Sequence, residues 1–426
     1  MDLLADLEAR GLVHDTTDRE AFEARLAEGP ITIYAGFDPT ADSLHAGNMV
    51  GLLMLRRFQD AGHKVISLAG GATGMIGDPS GRASERGLLD DETLAHNLEG
   101  IRPQLRQFLD FDSGHNPAKL LDNRAWTVGV GVLEFLRDVG KHVTVNHMMA
   151  KESVRARMAG EDGISFTEFA YMLLQAHDFL WLFENERCEL QGGGSDQWGN
   201  ITLGVDLIRR RTGGRAHGLV WPLLTQADGT KYGKTASGET MWLSAERMSP
   251  YRFYQGWMQA TDDDVARLLL QLTLLPVEEC LAVAGEHTAA PDARGGQRRV
   301  AFEVTRLVHG EDAATAAAEA SELIFGGDPS AASAAALASL VDEVPSTELG
   351  SFDLELIDAL CRTDLVSSRS DARRALAEGS IYLDGERVAD EALELATWPP
   401  LAGGHHLLRR GKRRYHLLHT KSGAGG

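Results

Sequence analysis

The residues best able to do chemistry stand in five short segments of the 426-residue chain. The first runs from Gly36 to Asn48 and holds Asp38, Thr40, His45, Gly47 and Asn48 where an apolar run gives way to a helical pattern. Backbone N–H groups at such a helix start suit a phosphate, and Gly47 leaves room for a flat group such as a purine to approach. Alone, the His-x-Gly reads more readily as a turn glycine beside a surface histidine. The second segment, Gly70 to Arg82, is rich in glycine and contains Asp78, a carboxylate that could receive an ammonium group. It fits neither G-x-x-x-x-G-K-[ST] nor G-x-G-x-x-G, so a flexible surface loop accounts for it equally well. In the third, Tyr171, Gln175 and Asp178 fall at i, i+4 and i+7 and share one helix face among apolar neighbours. A polar stripe on a buried helix needs partners, which a ligand or an internal network can supply. The fourth, Gln191 to Asn200, carries Gly194, Asp196 and Gln197 at a strand end, where an acid commonly takes ribose hydroxyls. The fifth is Asp228 to Thr235, whose Lys231 and Lys234 flank a glycine and could swing onto a polyphosphate; a charged hairpin tip is its ordinary reading.

These segments need elements to hold them. Apolar runs at 31–36, 65–69, 120–121 and 188–190 read as strands, and helical patterns at 48–61, 93–109, 165–182 and 196–211 alternate with them. That alternation predicts an α/β fold, a Rossmann-like parallel sheet with helices on both faces, whose ligands bind beyond the carboxyl ends of the strands. Beyond Ser249 the pattern becomes helical, at 250–259, 262–273, 294–309 and 312–325. A Gly, Ala, Ser and Pro-rich stretch at 326–350 reads as a linker, although its alanines could form a helix. The last part reads as two helices followed by a hairpin at Asp384-Gly385. The expected organisation is a catalytic domain over 1–221, a connecting segment over 222–248, a small helical domain over 249–326, a linker over 327–350 and an α+β domain over 351–426.

Composition narrows the classes. A hydrophobic fraction of 43% suits a globular protein with a sizeable core. The opening residues lack the basic and apolar regions of a signal peptide, and no run of about 18 apolar residues suggests a membrane span. Cys188, Cys280 and Cys361 are far apart, which points to a reducing, cytoplasmic setting and to no structural metal site. The net charge of −20 opposes a nucleic-acid partner, yet the tail bearing Arg409, Arg410, Lys412, Arg413 and Arg414 is strongly basic. Charge alone decides neither way.

Taken together and in order, the five segments resemble those of class I aminoacyl-tRNA synthetases, and among them the bacterial tyrosyl group. His45-Ala46-Gly47-Asn48 is similar to the "HIGH" signature, Lys231-Tyr232-Gly233-Lys234-Thr235 to the "KMSKS" signature, written KFGKT in this subfamily, and Gly193 to Trp198 to its ribose- and tyrosine-binding strand end. The resemblance implies that Tyr34 and Asp178 bind a substrate phenol and that Asp78, Tyr171 and Gln175 hold its α-ammonium group. It implies that Asp38, Gly194, Asp196 and Gln197 line the ribose and aminoacyl part of an adenylate. Thr40, His45, Arg82, Arg86, Lys231 and Lys234 would contact the phosphates. ATP would serve as substrate, with Mg2+ accompanying it and no dedicated protein site for the ion. The final segment, including Arg373 and Arg374, is similar to an RNA-binding module shared with a small-subunit ribosomal protein, so tRNA(Tyr) becomes the expected partner and the basic tail an expected contact. The resemblance further implies a homodimer, with Phe166 near its interface, and no editing domain.

Two positions depart from the pattern. The signature's last histidine is Asn48, which can still donate a hydrogen bond, and an expected lysine is Arg82, which keeps the charge. His177, beside Asp178, is also unexpected. A tryptophanyl enzyme, a non-catalytic RNA-binding descendant and a small-metabolite nucleotidyltransferase are the alternatives. Tyr34 with Asp178, the retained signatures and the C-terminal module respectively disfavour them.

Overall fold

The computed structural model describes residues 2–420, apart from Pro79, 81–88, Ser113, Glu161, Asp162, Asp228, Lys231, Lys234, Ala236, Ser237 and Arg413, together with the side chain of Ser153. The predicted site residues Arg82, Arg86, Lys231, Lys234 and Arg413 therefore lie outside the described residues. The chain divides into two compact units, one of 1–247 and 261–296, the other of 248–260 and 297–426. The helical stretch 249–326 is thus shared between them.

The first unit is built on a six-stranded sheet: β1 (Asp15–Thr16), β2 (Thr32–Phe37), β3 (Lys64–Ala69), β4 (Lys119–Asp122), β5 (Cys188–Gly194) and β6 (His217–Trp221). Its order is β1-β6-β5-β2-β3-β4, parallel except at the short β1. The chain winds outward from β2 through β3 to β4, then returns to β5 on the other side of β2. The crevice of such a sheet opens between the two central strands, above their carboxyl ends. β2 and β3 are buried nearly throughout, as strands covered on both faces must be.

Helices α1 (Met49–Asp60), α2 (Asp91–Phe108), α3 (Val132–Asp138), α4 (Phe166–Glu186) and α5 (Trp198–Thr212) accompany the sheet. α1 buries residues on all sides, from Met49 to Phe58. Its start is a 3-10 turn at Ala46–Asn48 capped by His45. Asp90 caps α2 by accepting from the Thr93 N–H, and Ser165 caps α4 by accepting from the Glu168 N–H, each satisfying a donor that the first turn leaves open. Arg187, at φ 54°, ends α4 so that β5 can begin at once. The predicted strands and helices of this half are all present. β6, at 217–221, and the short helices between β4 and α4 carry no marked period and escaped the sequence reading.

In the second unit, β7 (Ser346–Leu349), β8 (Ile381–Leu383), β9 (Glu386–Arg387), β10 (His405–Arg410) and β11 (Arg414–Thr420) form a sheet ordered β7-β11-β10-β8-β9. The expected hairpin pairs Tyr382 with Arg387, across Asp384 at φ 50° and Gly385 at φ 88°. Two positive φ values are the demand that Asp-Gly meets. Two segments gain structure that composition alone did not define. The alanines of 326–350, which the sequence allowed to form a helix within a linker, do so at Ala334–Ser339, and the strand β7 follows. The basic tail is a paired hairpin, β10 against β11, whose adjacent leucines are buried on opposite faces of the sheet, Leu407 and Leu417 in one cluster and Leu408 and Leu418 in another. No helix among the described residues is long and apolar enough to cross a membrane.

Candidate active site

Above the carboxyl ends of β2 and β5 lies a cavity of about 500 Å³. Every described residue predicted to bind tyrosine or ATP lines it: Tyr34, Asp38, Thr40, His45, Gly47, Asn48, Asp78, Tyr171, Gln175, Asp178, Gly194, Asp196 and Gln197. Residues from β2, the loops after β2, β3 and β5, and one face of α4 thus converge although they are up to 163 positions apart.

At one end Tyr34, 1% exposed, offers a hydroxyl with no hydrogen-bond partner among the described residues. Leaving such a group dry and unpaired costs about 1–3 kcal/mol, so its placement asks for a ligand. Burial, and after it the charge of Asp178, holds the Tyr34 phenol well above its ordinary range, and the group remains a neutral hydroxyl. Asp178 is 2% exposed. Its two carboxylate oxygens accept from Asn123 Nδ2 at 2.9 Å and from Trp126 Nε1 at 2.8 Å. Burial pushes the Asp178 carboxyl up to about 7, against the lowering effect of those two donors. Each oxygen keeps a further lone pair for a substrate hydroxyl.

Asn123 and Trp126 were not singled out from the sequence. They follow β4, so the rule that ligands gather beyond strand ends could have flagged them. Asn123 also donates to Thr73 Oγ1 at 3.0 Å and accepts from the Ala72 N–H at 2.7 Å, tying the loop after β3 to the loop after β4. Trp126 stacks on Trp181 at 4.0 Å and an angle of 8°, which fixes the indole N–H on Asp178. His177, by contrast, points away from the cavity and packs edge-on against Phe135 of α3.

Further along, Asp78 accepts from Gln197 Nε2 at 2.6 Å and from the Ser80 N–H at 3.0 Å. Gln197 Oε1 accepts from Gln175 Nε2 at 3.2 Å, and Asn200, another residue the sequence reading missed, donates to Gln175 Oε1 at 2.9 Å. This network presents one carboxylate and two amide oxygens, the donor-seeking set an ammonium group requires. The Tyr171 hydroxyl, expected at the same end, donates to Asp38 Oδ2 at 2.9 Å, while Asp38 Oδ1 accepts from Thr73 at 2.9 Å. A Cβ on Gly70 would sit 2.0 Å from Asp38 Oδ1, so only glycine lets this carboxylate lie against the loop.

At the other end, the His45 Nδ1 accepts from the Gly47 N–H at 3.1 Å, and Asn48 Oδ1 accepts from the His45 N–H at 3.0 Å. The imidazole must then carry its proton on Nε2, and burial keeps it below its ordinary pKa and hence neutral. A Cβ on Gly47 would lie 2.9 Å from His45 Cε1, so this glycine makes room for the histidine ring as well as for any ligand. Asn48 spends its amide oxygen on the turn, which leaves the amide N–H as what it can offer. Between Lys231 and Lys234 in sequence, Tyr232 is 8% exposed and donates to Asp264 Oδ2 at 3.0 Å. Asp264, fully buried, also accepts from Thr261 Oγ1 at 2.9 Å.

The second unit distributes its predicted basic residues unevenly. Arg410 forks onto Asp371 at 2.9 and 3.1 Å and donates to the Leu365 carbonyl at 2.7 Å, so its charge is engaged within the fold. Arg374 pairs with the same carboxylate at 2.7 Å, and these arginines, Arg410 foremost, hold Asp371 well below the usual carboxylate range. Arg414 donates to the carbonyls of Asp364 and Leu365. Arg409 lies over the Tyr382 ring at 3.7 Å, Arg373 pairs with Glu391 at 3.4 Å, and Lys412 is exposed.

Comparison with known proteins agrees along the whole chain. Residues 26–326 match the family model for tRNA synthetases class I (W and Y), and residues 336–418 match that for the tyrosine–tRNA ligase SYY-like C-terminal domain. The tyrosine–tRNA ligase of Opitutus terrae is 52% identical over 98% of this chain and 99% of its own, and that of Geobacillus stearothermophilus is 50% identical over the same shares. A C-terminally truncated mitochondrial tyrosyl-tRNA synthetase of Aspergillus nidulans, 31% identical, superposes with a TM-score of 0.69 over 76% of this chain and 94% of that one. A tryptophanyl-tRNA synthetase of Encephalitozoon cuniculi, 12% identical, shares the fold with a TM-score of 0.53 over 74% of this chain and 87% of its own. The chain belongs to the tyrosine–tRNA ligase family of class I aminoacyl-tRNA synthetases.

Proposed function

We infer that this enzyme activates L-tyrosine with ATP to tyrosyl-adenylate and passes the tyrosyl group to the 3′ end of tRNA(Tyr), releasing pyrophosphate and then AMP. The observation that carries the choice of amino acid is the unpartnered Tyr34 hydroxyl beside the Asp178 carboxylate. A phenol bound there gives Tyr34 its missing partner and donates to Asp178. Phenylalanine would fill the same space and leave both groups dry.

The first step needs no general base, since the substrate carboxylate is already ionised when it attacks the α-phosphorus. Catalysis then rests on alignment and on stabilising charge as pyrophosphate leaves in line. Asp78 and Gln175, held by Gln197, take the ammonium group, and Tyr171 sets Asp38 against the aminoacyl part. Asp196 and Gly194 receive the ribose. Thr40, the Nε2–H of His45 and the Asn48 amide face the phosphates, joined by Arg82, Arg86, Lys231 and Lys234. ATP enters as its magnesium complex, the ion being part of the substrate. In the second step a terminal ribose hydroxyl of the tRNA attacks the tyrosyl carbonyl, and the basic face of the C-terminal module, including Arg373 and Lys412, meets the RNA backbone.

A second copy of the chain is the further partner. Val132, Leu133 and Leu136 of α3 are 75, 83 and 52% exposed, and Phe166 at the start of α4 is 78% exposed. Apolar side chains so exposed on neighbouring helices mark an interface. The activity is tested by amino-acid-dependent exchange of labelled pyrophosphate into ATP across all twenty amino acids. Tyrosine alone should support exchange; exchange with tryptophan instead would overturn the substrate assignment.

A further inference from the structure

The phosphate end of the cavity has a support that lies outside it. The segment 241–247 returns alongside the His45 turn and pairs with it: the Ala46 N–H donates to the Met241 carbonyl at 2.8 Å, the Leu243 N–H to the Leu44 carbonyl at 2.9 Å, and the Ser244 N–H to Ser43 Oγ at 3.1 Å. His45 and Trp242 face each other across this antiparallel bridge. Their rings meet edge to face, with centroids 6.4 Å apart and an angle of 62°. Arg247 also packs on the indole, its guanidinium 4.8 Å from the ring centroid while it pairs with Asp42. Asp42 belongs to the same loop as His45, so the indole contacts both the histidine and an ion pair anchored on the histidine's own loop.

Two contacts then determine where the His45 imidazole points. The Gly47 N–H fixes Nδ1 as the acceptor, which leaves Nε2–H as the donor, and Nε2 has no partner among the described residues. The Gly47 bond permits the ring to rock about it, and the Trp242 ring opposes that rocking.

We propose that Trp242, clamped by Arg247 and Asp42, is a positioning residue for the adenylation reaction, holding His45 with its Nε2–H aimed at the phosphates. The proposal rests on the reading of His45 as a phosphate-binding group. Trp242 touches no substrate in this arrangement and acts through His45 alone. Its contribution should therefore appear in the rate of adenylate formation and vanish when His45 is gone.

The test is a double-mutant cycle on the full-length enzyme, using the single-turnover rate of tyrosyl-adenylate formation and the Kd for tyrosine. Trp242→Leu should slow adenylate formation about 10-fold, below the roughly 100-fold that misplacing a catalytic group by about 1 Å can cost, because the Gly47 bond still holds one end of the ring. Tyrosine affinity and the thermal midpoint should stay unchanged, and Trp242→Phe, which keeps an aromatic edge, should recover most of the rate. In a His45→Ala background, Trp242→Leu should cost nothing further. The same fractional loss in that background would overturn the proposal, as would full activity of Trp242→Leu where His45→Ala is impaired. Full activity of His45→Ala would instead remove the phosphate role of His45 on which the proposal stands. If Trp242→Leu does not fold, Arg247→Gln, which removes the guanidinium from the indole, asks the same question, with a smaller loss expected in the same cycle.

Discussion

Asp178 shows how far substrate recognition and stability pull apart at one residue. Burial raises its carboxyl to about 7 from an ordinary 3.8, so the folded protein binds a proton more readily than the unfolded chain. Stability of the free enzyme should fall as pH rises from about 4 to about 7, because the unfolded chain loses its proton first and the folded state then carries an unwelcome charge. Asp178→Asn keeps the shape without the charge. It should flatten that part of the pH–stability curve, raise the thermal midpoint at pH 8 and at the same time weaken tyrosine activation by at least about 10-fold. Thermal unfolding followed across pH, beside exchange kinetics, checks both; an unchanged pH curve would mean that Asp178 is not the buried charge it is taken to be. Asn123→Ala should weaken tyrosine binding by about 10-fold while sparing ATP, since it removes a donor from Asp178 and leaves the phosphate end intact. Tyr34, Asp178 and His45 were legible in the sequence because their segments have a recognisable order. Asn123 and Trp126 were not, since they act through Asp178 and their own segment has no repeating signature.

At the scale of elements, what periodicity could find it found. β2, β3 and β5 are short, apolar and bounded by glycine, and α1, α2, α4 and α5 follow them with amphipathic or buried faces. The helix at Val277–Ala289 went unread, as did β6, because neither begins with a side-chain cap signal nor shows a strict alternation. In 326–350 composition left linker and helix open; alanine and serine there are helix and cap, with Ser333 accepting from the Ala336 N–H. α3 is the element whose sequence makes least sense in a single copy of the chain. Leu133→Glu or Phe166→Asp should convert a dimer into monomers in sedimentation equilibrium without unfolding the chain; retention of the dimer by both would place the second copy elsewhere.

The whole molecule carries a net charge of −20 and yet must handle a polyanion. Basic groups of the C-terminal module such as Arg373 and Lys412 remain exposed and available to a polyanion, while Arg410 and Arg414 chiefly brace the fold. Replacing Arg373 and Lys412 together by alanine should raise the KM for tRNA by about 3- to 10-fold and make aminoacylation less sensitive to salt, because fewer counterions are released. Tyrosine-dependent pyrophosphate exchange should be untouched, since all its residues belong to the first unit. An equal fall in exchange would contradict that division of labour.

The claim on which the rest depends is that the unpartnered hydroxyl of Tyr34 reads the substrate phenol. It is tested most directly by the ratio of kcat/KM for tyrosine to that for phenylalanine in pyrophosphate exchange, measured for the enzyme and for Tyr34→Phe. The enzyme should strongly prefer tyrosine, and the ratio should be about 10- to 100-fold smaller in the variant, with most of the loss on the tyrosine side. An unchanged ratio in a folded, active variant would contradict it.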